Sequence, residues 1–274
     1  MAPKQRTQVI LFVALCAFTT LNLVPILWAF LTSIKLPVDA FAVPPKLVFE
    51  PTFQFHHEVW VEKGFWQFLI NSVVISVSTV CVSVPIGTMA AYGLSRMQGV
   101  GTRGLLFGLL AIRMFPHILL AIPFFVIATF VNLIDTYLVM VLALVAINQP
   151  FTIWLMRSFF LDVPRELDEA AFIDGCNLWQ TFTKVALPVV RPGLWVTSLF
   201  SLLLAYNEFL FALVLTGPNT KPLPVAIAEY GGEDINYWSL SAAAAIGIML
   251  PIVAFMMFLQ RHLVRGIAFG AVKG

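Results

Sequence analysis

The chain has 274 residues, of which 60% are hydrophobic and only 11% charged. Soluble domains carry about 25% charged residues, so this composition excludes a water-soluble protein with a single core and points to lipid as the solvent. The net charge of +2, with no clustered basic face, excludes nucleic-acid binding.

Six runs reach the roughly 20 apolar residues that cross a bilayer: 9–31, 68–94, 105–131, 137–157, 193–216 and 240–263. No small-residue cleavage site closes the first, so it reads as a retained helix. Pro25, Pro85, Pro116, Pro123 and Pro251 fall inside the runs. Membrane helices tolerate such prolines because neighbours satisfy the freed carbonyls. The expected fold is all-α and polytopic, one transmembrane domain over 1–274 with six transmembrane helices.

Basic residues set the orientation. The side holding the N-terminus carries Lys4, Arg6, Arg96, Arg103, Arg157, Arg165, Lys184, Arg191, Arg261, Arg265 and Lys273; the other carries Lys35, Lys46, Lys63 and Lys221. The positive-inside bias therefore predicts cytoplasmic termini. Loops 36–66, 132–136 and 217–239 then face outward, and 99–104 and 158–192 face the cytoplasm.

Between the first two spans, His56-His57-Glu58 offers no third ligand at metal spacing and reads as a solvated loop. The outer loops also hold Phe53, Phe55, Trp60, Phe65, Trp66, Tyr230, Tyr237 and Trp238, which read mainly as interfacial belt residues. Gly99-x-Gly101-x-x-Gly104 matches a dinucleotide fingerprint in letters only, because no strand precedes it; it reads as a tight turn. Cys16 and Cys81 lie in apolar runs and Cys176 in a polar loop; without CxxC or Cys/His spacing they read as free thiols.

Arg113 lies inside the third span, where a charge is costly and needs a partner or water. Glu208 in the fifth span is the candidate partner, and His117 follows Arg113 by four residues, the spacing of one helix face. Two readings stay open: a structural pair or a snorkelling arginine, and a pathway lined by Arg113, His117, Asn148, Asn207 and Glu208 that meets a polar solute. Asn148-Gln149-Pro150 in the fourth span reads as a polar helix break of the kind that lines cavities.

Loop 158–192 is long and charged between two apolar spans. Asp162-Val163-Pro164 predicts a helix start, with Glu166, Asp168 and Glu169 where the helix dipole favours anions. Ala170 and Ala171 are small and helix-forming, and Gly175 fits a left-handed helix end. Asn177, with Gln180 three residues on, predicts a capping box. Leu178, Phe182 and Val185 then form an apolar stripe, and Leu187-Pro188 closes the second helix. The pattern predicts a helix, a glycine turn and a second helix, with small side chains at the tip. An interfacial hairpin and a knob that docks on another protein both satisfy it.

The string Glu169-Ala170-Ala171-x3-Gly175-x9-Val185-x-Leu187-Pro188 resembles the EAA loop of ABC importer permeases. Trp28-x3-Thr32-Ser33-x-Lys35, Asn71-Ser72, Tyr206-Asn207-Glu208-Phe209 and the ending Gly270-Ala271-Val272-Lys273-Gly274 are similar to carbohydrate permeases of the maltose-transporter type. One departure is Tyr206, where many relatives have Trp. The resemblance implies a bacterial inner-membrane, multi-pass protein that imports a sugar, polyol, glycoside or anionic sugar. It implies a coupling helix within 158–192 at Glu169, Ala170, Ala171, Asp174 and Gly175, docking on an ATP-binding subunit. It also implies that tail 264–274 reaches between ATPase subunits through Gly270–Gly274. The implied partners are a second permease in a heterodimer, two ATP-binding subunits, an extracytoplasmic solute-binding protein and membrane lipid. No P-loop exists in the chain. ATP and Mg are therefore expected on partner subunits, with no catalytic residue, metal or cofactor here. An ion-coupled secondary transporter or channel is the alternative, and it would need no docking loop.

Overall fold

The computed structural model describes residues 3–97, 99–229 and 236–271. In chain order the helices are α1 Pro3–Ser33, α2 Pro37–Ala40, α3 Gln54–His57, α4 Phe65–Arg96, α5 Val100–Met114, α6 His117–Phe130 and α7 Tyr137–Leu161. They continue as α8 Glu166–Ile173, α9 Leu178–Gln180, α10 Leu187–Val189, α11 Arg191–Tyr206, α12 Leu210–Leu215, α13 Leu223–Ala228 and α14 Asn236–Ala271. Two π-helical turns, Glu58–Glu62 and Thr181–Ala186, join α3 to Lys63 and α9 to α10. No strand occurs among the described residues.

Four helices are long and apolar enough to cross a membrane, or up to six if each sharply bent pair counts as one span. The third expected span is one such pair. Its helix stops at Met114 and restarts at His117 with a 90° bend, because Pro116 has no N–H to offer the ladder. The fifth expected span also divides, between Tyr206 and Leu210. By contrast the helix break expected at Asn148-Gln149-Pro150 does not exist: α7 runs through Pro150 without interruption. The turn expected over 99–104 is shorter than that, since α5 already begins at Val100 and holds Gly101 and Gly104. Helix α14 runs to Ala271, so the backbone of the expected tail is helical that far. Val272, Lys273 and Gly274 lie outside the described residues.

The chain forms two compact units. The first comprises Met1–Trp66 and Ala226–Leu250. In it the apolar stretch of α1 buries none of its residues, as a helix facing lipid requires. Past its end Lys35 is buried, with its ammonium over the rings of Trp28 and Phe49. That ammonium donates to the Lys46 carbonyl at 2.7 Å. Such cation–π contacts offset part of the desolvation of a lysine. Ser33 Oγ meets His56 Nε2 at 3.1 Å, and burial lowers the His56 pKa. His57 and Glu58 pair locally with Glu62 and Lys63. Phe55 and Phe65 are buried inside this unit rather than set in an interfacial belt. Tyr230 lies outside the described residues.

The second unit comprises Gln67–Val225 and Pro251–Gly274. Helix α7 is its centre, packed by α5, α11 and α12, with α12 also against α6. One apolar cluster joins Ile75, Met140, Leu144, Phe211 and Leu215; a second joins Tyr92, Met156, Phe160, Phe182 and Val190 near α8. Gly87 lets α4 approach α7 closely, because a Cβ there would collide with the Thr152 side chain.

At the end of this unit away from α8, the α6–α7 turn is closed by Asp135, whose φ is +60°. Its carboxylate accepts hydrogen bonds from the Gly217, Asn219 and Thr220 amides, the Asn219 side chain and the Thr220 hydroxyl. Burial alone would raise this carboxyl's pKa. The Thr220 hydroxyl and the three amides outweigh it and hold the pKa at about 2. A depressed carboxylate stabilises above its unfolded pKa, and the stabilisation is lost as pH falls through the folded value. Asp135→Asn is therefore expected to cost about 1 kcal/mol at neutral pH, because solvent screens this partly exposed turn. In thermal unfolding the gap between the two proteins closes as pH falls from about 4 toward 2.

Candidate functional site

The loop between α7 and α11 builds the site. Asp162 does not open α8 as expected; it is the C-cap of α7, and α8 starts at Glu166 after Arg165. Pro164 separates the two helices instead, since it disfavours a helical residue before it. Helix α8 ends as a Schellman motif. The Gly175 amide donates to the Phe172 carbonyl at 3.0 Å and the Cys176 amide to the Ala171 carbonyl at 2.9 Å. Gly175 has φ +84°, the left-handed conformation this motif requires. The next segment opens with the expected capping box: Asn177 Oδ1 accepts from the Gln180 amide and Gln180 Oε1 from the Asn177 amide. The turn is thus fixed on both sides by main-chain and capping hydrogen bonds.

The two faces of α8 differ. Asp168 and Ala171 point inward and are buried. Glu169, Ala170, Asp174 and Gly175 are exposed, together with Phe172 and with Ile173 at 86%. Leu178 and Trp179 are also exposed across the turn. The tip is therefore not made only of small side chains. It carries large exposed apolar side chains beside the carboxylates of Glu169 and Asp174, and exposed apolar patches mark interaction sites. The Phe172-Ile173 pair inside a charged loop was the sequence signal for it. The inward stripe after the turn is Phe182, Ala186 and Val190, all buried, rather than Leu178, Phe182 and Val185. The π-helical turn at Thr181–Ala186 adds a residue to the local period and shifts that face.

Tight polar contacts attach α8 to the bundle. Arg96 at the end of α4 donates from Nε to Asp168 Oδ2 at 2.7 Å, and the Tyr92 hydroxyl donates to the same oxygen at 3.1 Å. Arg96 Nη1 donates to the Phe160 and Val163 carbonyls. Arg157 and Arg165 donate in turn to the Leu94 and Ser95 carbonyls at the end of α4.

The residues considered for a pathway gather in part. Arg113, His117, Asn148 and Glu208 line a small cavity of about 60 Å³ with Leu144, Ile147, Leu204 and Ala205. Asn207 is not in that lining; it is exposed and donates to the Leu203 carbonyl at 2.8 Å. Arg113 and His117 do not share a helix face, because the bend at Phe115-Pro116 puts them on different helices. Among the described residues Arg113 and Glu208 form no ion pair: the guanidinium lies over the Phe151 ring at 5.2 Å. Glu208 Oε1 accepts from the Leu210 and Phe211 amides at 3.0 and 3.2 Å. It therefore caps α12, and Asn207-Glu208-Phe209, after the last helical residue Tyr206, is the break in the fifth span. Asn148 donates to Ser201, and Gln149 to the Ser83 carbonyl at 3.1 Å.

Residues 83–269 match the family of binding-protein-dependent transport system inner membrane components. The chain belongs to that family. It is a permease of an ABC importer and a multi-pass inner-membrane protein. It is 37% identical over 258 residues to a probable ABC transporter permease, y4oR, of Sinorhizobium fredii, covering 94% of this chain and 93% of that protein. It is 35% identical to the trehalose transport system permease SugB of Mycobacterium tuberculosis, covering 92% and 93%. A permease of the trehalose/maltose transport system of Thermococcus litoralis is 30% identical, with 97% of each chain covered. Among solved structures, a chain of a bacterial ABC transporter that imports the acidic polysaccharide alginate superposes with a TM-score of 0.74. That match is 23% identical and covers 95% of this chain and 98% of that one; it establishes the fold.

Two outcomes follow from the geometry. Gly175→Val forces a β-branched residue into the left-handed region and is expected to cost about 1–2 kcal/mol, read as a lower unfolding temperature and faster proteolysis at the α8 tip. Glu208→Ala removes the cap of α12 and is expected to cost about 1 kcal/mol, whereas Glu208→Gln keeps an acceptor and costs less.

Proposed function

We propose that this chain is one of two permease subunits of an ATP-driven, binding-protein-dependent importer for a carbohydrate or related solute. The exposed tip of α8 carries the proposal. Phe172 and Ile173 are held outside the bundle by a Schellman turn and a capping box. A rigid apolar tip beside Glu169 and Asp174 suits insertion into a cleft of another protein. In this reading Glu169, Ala170, Ala171, Asp174 and Gly175 form the coupling element that docks on an ATP-binding subunit. ATP and Mg belong to two such subunits, and this chain hydrolyses nothing. Both termini are cytoplasmic, so α8 lies on the cytoplasmic side and the Asp135 turn on the outer side. Residues 264–274, with Gly270–Gly274 at the end, reach toward the ATPase pair. A second permease completes a heterodimer, and an extracytoplasmic binding protein delivers the solute.

A carbohydrate cargo is supported by relatives named for trehalose, trehalose/maltose and diacetylchitobiose transport. Arg113, His117, Asn148, Asn207 and Glu208 are the residues proposed to meet solute on its way, with Arg113 available to an anionic substituent. Two measurements test this reading. In vesicles holding the complete assembly, uptake of the solute bound by the cognate binding protein is expected to stop when ATP is depleted and the membrane potential is kept. Uptake that persists and follows an ion gradient contradicts it. A thermal-shift screen of the binding protein is expected to select a sugar or sugar derivative; selection of an amino acid contradicts the cargo class.

A further inference from the structure

We infer that the Arg96–Asp168 contact is the joint through which α8 moves α4, and that α4 carries this motion across the membrane to segment 219–223. The inference rests on the importer reading above and adds to it the residues that transmit the force.

Helix α4 is held at both ends by polar contacts within one compact unit. At the α8 end Asp168, with only 8% of its side chain exposed, takes the Arg96 Nε–H and the Tyr92 O–H on one oxygen. At the other end the Asn71 side-chain amide donates to the Asn219 and Lys221 carbonyls at 3.2 and 2.9 Å. The next residue's hydroxyl, Ser72 Oγ, accepts from the Leu223 amide at 2.8 Å. Asn71 and Ser72 are themselves buried. The two joints are 25 residues apart on one helix, about 38 Å at 1.5 Å per residue. A displacement of α8 therefore reaches segment 219–223 through a single helix rather than through a chain of loops.

The α8 joint has room for two arrangements. Arg96 Nη2 and Asp168 Oδ1 are both buried, and neither has a hydrogen-bond partner among the described residues. The pair thus holds one bond where an arginine and a carboxylate form two parallel ones. A small rotation of α8 that brings Nη2 to Oδ1 closes the second bond without breaking the first. Unpaired buried polar atoms are costly, so the closed form is favoured once a docked ATPase supplies the rotation. Two discrete arrangements of one contact are what mechanical coupling between distant sites requires. Because they act through α4 rather than on solute or nucleotide, Arg96 and Asp168 are positioning residues.

The test uses the full assembly of permeases and ATP-binding subunits. An Ile70→Cys reporter sits at the Asn71 end of α4, with Cys16, Cys81 and Cys176 replaced by serine. Its rate of reaction with a maleimide is measured without nucleotide and with ATP plus vanadate. The ratio of the two rates is expected to be on the order of tenfold, a coupling at the low end for linked sites. Asp168→Asn is expected to bring the ratio close to one while ATP hydrolysis continues. Tyr92→Phe keeps the ring contacts with Phe160 and Phe182, loses only a hydroxyl, and is expected to give an intermediate ratio. It provides the comparison if Asp168→Asn does not assemble. An unchanged ratio in variants that still hydrolyse ATP overturns the inference and leaves the importer reading in place. An assembly without either substitution whose reporter ignores ATP while ATP still drives uptake overturns the inference alone, and one in which ATP drives neither overturns both.

Discussion

Lipid supplies no hydrogen bonds, so every backbone amide and carbonyl in the spanning region must find a partner inside the protein. This constraint makes the chain helical, and it also decides what happens wherever a helix stops. Several interruptions in the second unit are matched by a side chain that replaces missing bonds. Glu208 caps the amides of Leu210 and Phe211 after the break at Asn207. Arg157 and Arg165 take the last carbonyls of α4. Arg96 takes those of Phe160 and Val163 at the end of α7. Asp135 gathers the amides of the segment after α12.

The same substitutions place the functional parts. The arginines that close α4 and α7 also tie the root of α8 to both helices, and the tip at Phe172 and Ile173 projects from that root. Asn71 and Ser72 hold the opposite end of α4 to segment 219–223. The polar contacts that hold the second unit thus lie mainly at helix ends and where two helices meet.

Hydropathy made the spans legible because apolar runs of this length have few alternatives to a helix in lipid. The glycine turn and the capping box were legible for a different reason: Gly175, Asn177 and Gln180 act through their own backbone neighbours. What the sequence hid was tertiary. Pro116 bends a helix by 90° while Pro150 leaves α7 continuous, although both lie inside runs of spanning length. Glu208 faced two choices, Arg113 or the amides two and three residues on, and only the fold shows that it takes the amides. The partner of Asp168 is 72 residues away, a separation no local pattern encodes. The shift of the buried stripe to Phe182, Ala186 and Val190 follows from a π-helical turn that a period of 3.6 residues cannot anticipate.

In the proposed function the α8 tip docks on an ATP-binding subunit. A photoreactive amino acid in place of Ile173, introduced in the complete transport assembly in native membranes, tests it directly. A light-dependent adduct with the ATP-binding subunit is expected, and no such adduct when the same group replaces Ile122 on the exposed face of α6. Adducts with lipid alone at Ile173, with the ATP-binding subunit present in the assembly, would contradict it.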